Sequence, residues 1–461
     1  MTSVCSTKEH DSDLDHNTQS SAPPPPPPPS ASAGTQLTTA GWLTVLGAFC
    51  CAFAGFGFLN AFGVFQEYYQ QTKLSSSSPS SIAWIGSVQT CLLFGANIIS
   101  GLLLDRFGPK SLLVGVTFLF PLSCMLTSLC DKFWQFFLVQ GILQGLALSG
   151  SLTPPIACAI HHFREKKGIA IALIVSGSSL GGVVWPIVVK QLLASVGFGW
   201  TWRIIGFISV VLFGIGVLTV TSPIIRDVGL PRPVMRLLSP DADEPSDKTG
   251  PKPPRAPLFY FELLKDPAYL LTMLSFAFMF FGLFFEFFYL PSWGATKGMS
   301  ASLQFYSVSI LNAASFFGRL LFPLPGQRFG NFNMMIIALF SSAIIVLAGI
   351  GVSSPTGVIV NGAFYGFTSG GAISLYSACA AAITPDMRRL GASTGQIALA
   401  VAAPALLGPP VDGWIIDSKG GFKAAQGLSG GCLCVAGVST VLVQLILSRR
   451  AKRPAAGTSS A

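Results

Sequence analysis

Two ionisable residues stand inside long apolar runs, and both could do chemistry. Arg319 lies in Asn312-Ala-Ala-Ser-Phe-Phe-Gly-Arg319-Leu-Leu. A guanidinium there can hold a carboxylate through two parallel N–H donors. Glu286 lies in Phe284-Phe-Glu-Phe-Phe-Tyr289. Apolar surroundings disfavour a bare carboxylate, so Glu286 is the candidate proton carrier. A charge in mid-bilayer costs about 3 kcal/mol or more, so its retention suggests function. The plainer readings are a snorkelling Arg319 and a Glu286 wetted at an interface. Asn60, Asn312, Asn361, Tyr365 and Gln396 are uncharged candidates for lining a solute path, as are Gln140 and Gln144. Each could equally be an interhelical hydrogen bond. Lys190 and Arg203 read as snorkelling side chains near span ends.

Other chemistry is disfavoured. His161 and His162 are adjacent, but no third ligand is near them in sequence, so no metal is expected. There is no G-x-x-x-x-G-K-[ST], H-E-x-x-H or G-x-S-x-G. No catalytic residue and no cofactor are expected, and the chain is not read as an enzyme. The ten cysteines show no metal or redox spacing and read as small packing residues.

The elements that hold these residues follow from composition. Of 461 residues, 51% are hydrophobic and 10% charged, whereas soluble domains carry roughly 25% charged residues. The apolar runs are long and do not alternate, so they read as helices crossing a bilayer rather than barrel strands. Twelve spans are predicted, near 41–66, 81–104, 111–130, 133–155, 168–192, 202–222, 268–291, 301–324, 331–351, 355–377, 390–412 and 424–447. The fold class is an all-α membrane protein. The expected parts are a disordered tail 1–40 holding seven consecutive prolines, a six-helix bundle 41–222, a polar linker 223–267, a second six-helix bundle 268–447, and a tail 448–461. The first span would itself direct insertion, without a cleavable signal peptide.

Basic residues set the orientation. With the N-terminus inside, the inner loops, linker and C-tail hold nineteen Lys and Arg, against six outside. Both termini are therefore expected in the cytosol, with the plasma membrane as the default location. The same asymmetry explains the net charge of +9 without nucleic acid. The halves also repeat. Arg106-Phe-Gly108 and Arg328-Phe-Gly330 are offset by 222 residues, and the turns ending at Gly168 and Gly391 by 223.

The turn Gly101-Leu-Leu-Leu-Asp105-Arg106-Phe107-Gly108-Pro109-Lys110 resembles the G-x-L-x-D-R-x-G-x-K/R loop of the major facilitator superfamily. The resemblance implies two six-helix bundles that rock about a shared solute site. It also implies that Gly101, Asp105, Arg106, Gly108 and Lys110 form a conformational latch. The second copy has lost the acidic position to Gln327 and a basic one to Asn331, so a weaker latch is expected there.

Three stretches are similar to the monocarboxylate-transporter-like branch, especially its fungal members. They are Asn60 to Tyr69, Phe163 to Ala170 continuing through Gly182 and Pro186, and Gly199 to Arg203. Gly408-Pro-Pro410 also matches and is expected to kink its helix. The chain departs from the branch where Asn60 stands for a lysine and Ser315 for an aspartate one turn before Arg319. The resulting expectation is a secondary transporter of a small organic anion such as a monocarboxylate, with protons as a candidate coupling ion. The alternatives are an exporter of a secondary metabolite, a carrier of a neutral compound, or a non-transporting sensor on the same fold.

Overall fold

The structure, a computed structural model, describes residues 39–163, 167–223, 261–384, 390–418 and 420–452. The N-terminal tail, most of the linker, Arg164 to Lys166, Arg388, Arg389 and the last nine residues lie outside that set, as do the side chains of Asp105 and Gln327. Among the described residues the chain is helical, and twelve helices are long and apolar enough to cross a membrane. In order, spans 1 to 6 are Thr39–Lys73, Ser81–Leu104, Pro109–Thr127, Phe133–His162, Gly168–Ser195 and Gly197–Thr219. Spans 7 to 12 are Pro267–Thr296, Ala301–Gly326, Asn331–Gly349, Pro355–Ile383, Ser393–Asp417 and Gly421–Arg450.

Spans 1, 4 and 11 run past the ends expected from sequence, by seven, seven and five residues. Their polar ends are carried by structure that hydropathy does not see. Tyr69–Lys73 at the end of span 1 is a π-helical turn, and Tyr69 is fully buried there. The helix of span 11 continues unbroken through Pro404, Pro409 and Pro410. The Pro409 carbonyl in that stretch accepts a hydrogen bond from Tyr289 Oη at 2.6 Å.

Consecutive spans run in opposite directions. Thr39 and Arg450 therefore share one face of the molecule, the termini face. The Asp266–Arg450 ion pair joins the start of span 7 to the end of span 12 on that face. Lys73 and Asp131 pair on the opposite, far face.

The packing repeats along the chain. Span 1 packs on spans 5 and 6, span 3 on span 6, and span 2 on span 4. Six spans later, span 7 packs on 11 and 12, span 9 on 12, and span 8 on 10. The most extensive pairings between the halves are span 2 with 11 and span 5 with 8, and the repeat converts each into the other. The turns at the repeated motif match as well, with Gly108 at φ 86° and Gly330 at φ 90°. Both angles lie in the region that favours glycine.

Lipid does not drive apolar helices together, so close backbone approach and interhelical hydrogen bonds must. A Cβ on Gly57 would stand 2.8 Å from Gly181 Cα, so spans 1 and 5 meet backbone to backbone. Outward-facing positions are apolar instead. Phe118, Phe207, Val211, Ile344 and Phe364 are each more than half exposed, as a lipid-facing surface requires.

Candidate functional site

A cavity of about 290 Å³ opens toward the far face between spans 1, 5, 7 and 8. Its two walls differ in chemistry. Span 1 supplies Asn60, Gln66, Glu67 and Gln70, and span 8 adds Gln304. Span 7 supplies Phe287, Phe288 and Pro291. Gln66 and Gln70 are one helical turn apart, so both fall on one face of span 1. Gln66 Oε1 is buried with no partner. No lysine or arginine lines this vestibule. On the termini face, the gap between span 4 and spans 10 and 11 is only about 30 Å³.

The floor of the vestibule is polar. Span 1 is interrupted at Asn60, between the helical pieces Phe56–Leu59 and Phe62–Tyr68. Asn60 Nδ2 donates to Asn312 Oδ1 at 3.4 Å and to the Ser178 carbonyl at 3.5 Å. Asn312 fits against Gly182, where a Cβ would come within 2.4 Å of it. One turn lower, Ser179 Oγ donates to Ser315 Oγ at 3.2 Å. Ser315 stands where the resembled branch has an aspartate, and here it is a cross-half hydroxyl contact.

Arg319 lies beneath that floor and is fully buried. The snorkelling reading fails, because its guanidinium turns inward to span 5 rather than out to an interface. It donates to the Val175 carbonyl at 2.8 Å and to Ser178 Oγ. Its Nε and Nη2 have no partner. The Phe56 ring lies 5.9 Å from the guanidinium carbon.

The remaining candidates lie elsewhere. Asn361 donates to the Ile345 carbonyl at 2.7 Å, tying span 10 to span 9. Tyr365 donates to the Leu283 carbonyl at 2.7 Å, tying span 10 to span 7. Gln396 accepts from Tyr269 at 3.4 Å, near the termini face. Gln140 and Gln144 likewise serve interhelical bonds, to Tyr69 and Gln89. Glu286 is fully buried inside the second half, and neither carboxylate oxygen has a partner. It does not line the vestibule, because it lies on the other face of span 7 from Phe287, Phe288 and Pro291. At the motif turn, Gly108 takes its positive φ, Lys110 is buried, and Arg106 is exposed beside the Phe107 ring. The latch carboxyl of Asp105 lies outside the described side chains.

Sequence reasoning missed three things. Gln66, Gln70 and Gln304 line the vestibule; their signal is amides at span ends, spaced by one turn on span 1. Lys190 is exposed, as snorkelling predicts, but its ammonium sits 3.9 Å from the centre of the Phe305 ring, across from span 5 to span 8. Asp412 is a second fully buried acid in the second half. Its signal was a carboxyl two residues after Gly408-Pro-Pro410, taken as the end of a span rather than its interior.

Comparison with known proteins matches this architecture. Residues 44–360 match the sequence profile of the Major Facilitator Superfamily. The aspyridones efflux protein of Emericella nidulans is 36% identical over 398 residues, covering 86% of this chain and 76% of that protein. The agnestins efflux protein of Paecilomyces divaricatus is 35% identical over 396 residues, 86% of each chain. The fujikurins efflux protein of Gibberella fujikuroi is 32% identical over 406 residues, covering 88% of this chain and 82% of that protein. With twelve membrane-length helices, a duplicated packing pattern and a cavity between the halves, the chain is a multi-pass membrane transporter and belongs to the Major Facilitator Superfamily.

Proposed function

We propose that this transporter exports an amphipathic secondary metabolite, rather than a small monocarboxylate. The observation that carries the reading is the vestibule, with an amide-rich wall facing a phenyl-rich wall and no cation between them. Such a surface suits a solute with both hydrogen-bonding and apolar faces. A small organic anion would meet Glu67 there and no positive charge. The relatives named as efflux proteins for aspyridones, agnestins and fujikurins support the same class.

The mechanism in this reading is alternating access by bundles 41–222 and 268–447, joined by linker 223–267. Asn60, Asn312, Ser179 and Ser315 close the halves below the solute, and Arg319 fastens span 8 to span 5 beneath them. Asp105 and Arg106 set the conformational equilibrium at the motif turn. Both termini face the cytosol of the plasma membrane, so the far face is outside and the vestibule opens outward. Three stretches of the chain also resemble the monocarboxylate-transporter-like branch.

One observation favours the organic-anion reading. Arg319 keeps two buried donor nitrogens, Nε and Nη2, without partners, and a carboxylate could take them once the halves separate. The two readings divide on one experiment. Purified protein in proteoliposomes is assayed for counterflow of aspyridones, agnestins, fujikurins and lactate. Saturable counterflow of a metabolite, retained in Arg319→Lys, supports export. Counterflow of lactate alone, lost in Arg319→Lys, overturns it.

A further inference from the structure

Span 7 separates two cavities. Its residues Phe287, Phe288, Pro291, Ser292 and Ala295 face the vestibule. Its residues Trp293, Thr296 and Lys297 face a second cavity of about 270 Å³, at the far-face ends of spans 7, 9 and 12. Glu286 precedes Trp293 by two helical turns and shares that second face.

The second cavity leads inward along span 12. Gln426 lines it, is 1% exposed, and leaves Nε2 without a partner. Ser429, one turn deeper, donates to Asp412 Oδ1 at 3.3 Å. Asp412 is fully buried, and its Oδ2 has no partner. A Cβ on Gly282, one turn before Glu286 on span 7, would stand 2.5 Å from the Ser429 carbonyl oxygen, so the Glu286 face of span 7 packs on span 12 at the residue that bonds Asp412. The Tyr365 hydroxyl, on span 10, is already given to the Leu283 carbonyl. Four carboxylate oxygens therefore share one hydrogen bond.

No cation balances the pair. Neither acid enters an ion pair among the described residues. Tyr289, whose hydroxyl is given to Pro409, and Cys432 are the other ionisable groups near Asp412, and Asp417 lies beyond Tyr289. Span 8 brings Arg319, but its guanidinium is held by span 5. Spans 2 and 9 bring no charged side chain. Lys297 and Lys423 stand at the cavity mouth. Two ionised carboxylates this dry would go unpaid for in hydrogen bonds, and binding a proton removes the charge.

We propose that Asp412 and Glu286 form a proton-binding site inside the second half, entered through the Lys297–Lys423 cavity by way of Gln426 and Ser429. Protons and solute then use different routes, divided by span 7. A proton from water adds to a carboxylate oxygen and yields a neutral acid. The same proton returns to water when the second half rearranges, and no electrons move. The term solute rests on the export reading, but the site itself does not.

The test is infrared difference spectroscopy of the full-length protein in lipid vesicles between alkaline and acidic pH, read at the carboxyl C=O stretch of protonated acids. The wild type is expected to show a buried-acid band that weakens in Glu286→Gln and in Asp412→Asn and is lost in the double variant. Ser429→Ala leaves both acids in place and is expected to move the pH midpoint of the band. Gln426→Leu is expected to slow its appearance after an acid jump. A wild-type spectrum matched by the double variant overturns the site, and an unslowed Gln426→Leu overturns the route. If the bands behave as stated but no metabolite counterflow occurs, the export reading fails and the proton site stands. Counterflow without these bands has the opposite meaning.

Discussion

The Asn60 side-chain amide in span 1 donates to the Asn312 carboxamide oxygen in span 8 at 3.4 Å, so the vestibule floor is a bond between the two halves of the chain. Asn312 also anchors itself by donating to the Val308 carbonyl at 3.0 Å. Its acceptor oxygen is thereby aimed at Asn60. A solute that reaches the floor meets this contact, and parting the halves must break it.

Removing the acceptor should shift the conformational balance. Asn312→Ala is expected to weaken the closed floor by about 1 kcal/mol, roughly fivefold in the equilibrium between states. Spin labels at the termini-face ends of spans 5 and 8 would report the change as a gain in the longer distance. An unchanged distance distribution would show that the bond does not hold the halves.

Two glycines separate cavity from packing. A Cβ on Gly63, in the vestibule wall, meets nothing within 4 Å. Gly63→Phe is therefore expected to block transport while leaving the thermal midpoint in detergent unchanged. A Cβ on Gly318 would stand 1.9 Å from the Phe367 carbonyl oxygen. Gly318→Ala should push spans 8 and 10 apart and destabilise by about 1–3 kcal/mol. Equal thermal midpoints for the two variants would contradict this division.

The termini face carries a pH-sensitive tie. Asp266 caps span 7, accepting from the Ala268 N–H at 2.9 Å, and pairs with Arg450 through bonds of 2.9 and 2.6 Å. The Arg450 hydrogen bond holds the Asp266 carboxyl below the usual carboxylate range. A lowered folded value means the tie contributes fully above the unfolded pKa of about 3.9. Its contribution is lost as pH falls through the lower folded value. The pair is partly exposed, so about 1 kcal/mol is its upper limit. Thermal midpoints of wild type and Asp266→Asn should differ at pH 7 and converge below about pH 4. A difference that persists at acid pH would contradict the assignment.

The legible part of the fold was its longitudinal plan. Apolar runs marked all twelve spans, and the 222-residue offset marked Gly108 and Gly330, which take matching positive φ angles. A run of apolar residues must be long enough to cross lipid, and a tight turn with positive φ favours glycine, so both leave a mark in one dimension. Span ends were less legible. Tyr69–Lys73 is polar, yet it continues span 1 because Tyr69 finds a buried partner in Gln140.

The amino-acid sequence by itself determined how often the chain crosses lipid, where it turns, and that Arg319 and Glu286 stand inside apolar runs. Only the tertiary structure decided which way each side chain faces. It turned Arg319 to span 5, set Phe287 but not Glu286 on the vestibule face of span 7, and brought Asp412 from span 11 beside Ser429 of span 12. The reason is the solvent. In water, a helix is polar outside and apolar inside, so its pattern reveals its orientation. In lipid both sides are apolar, and rotation about the helix axis is fixed by neighbouring spans that hydropathy does not record.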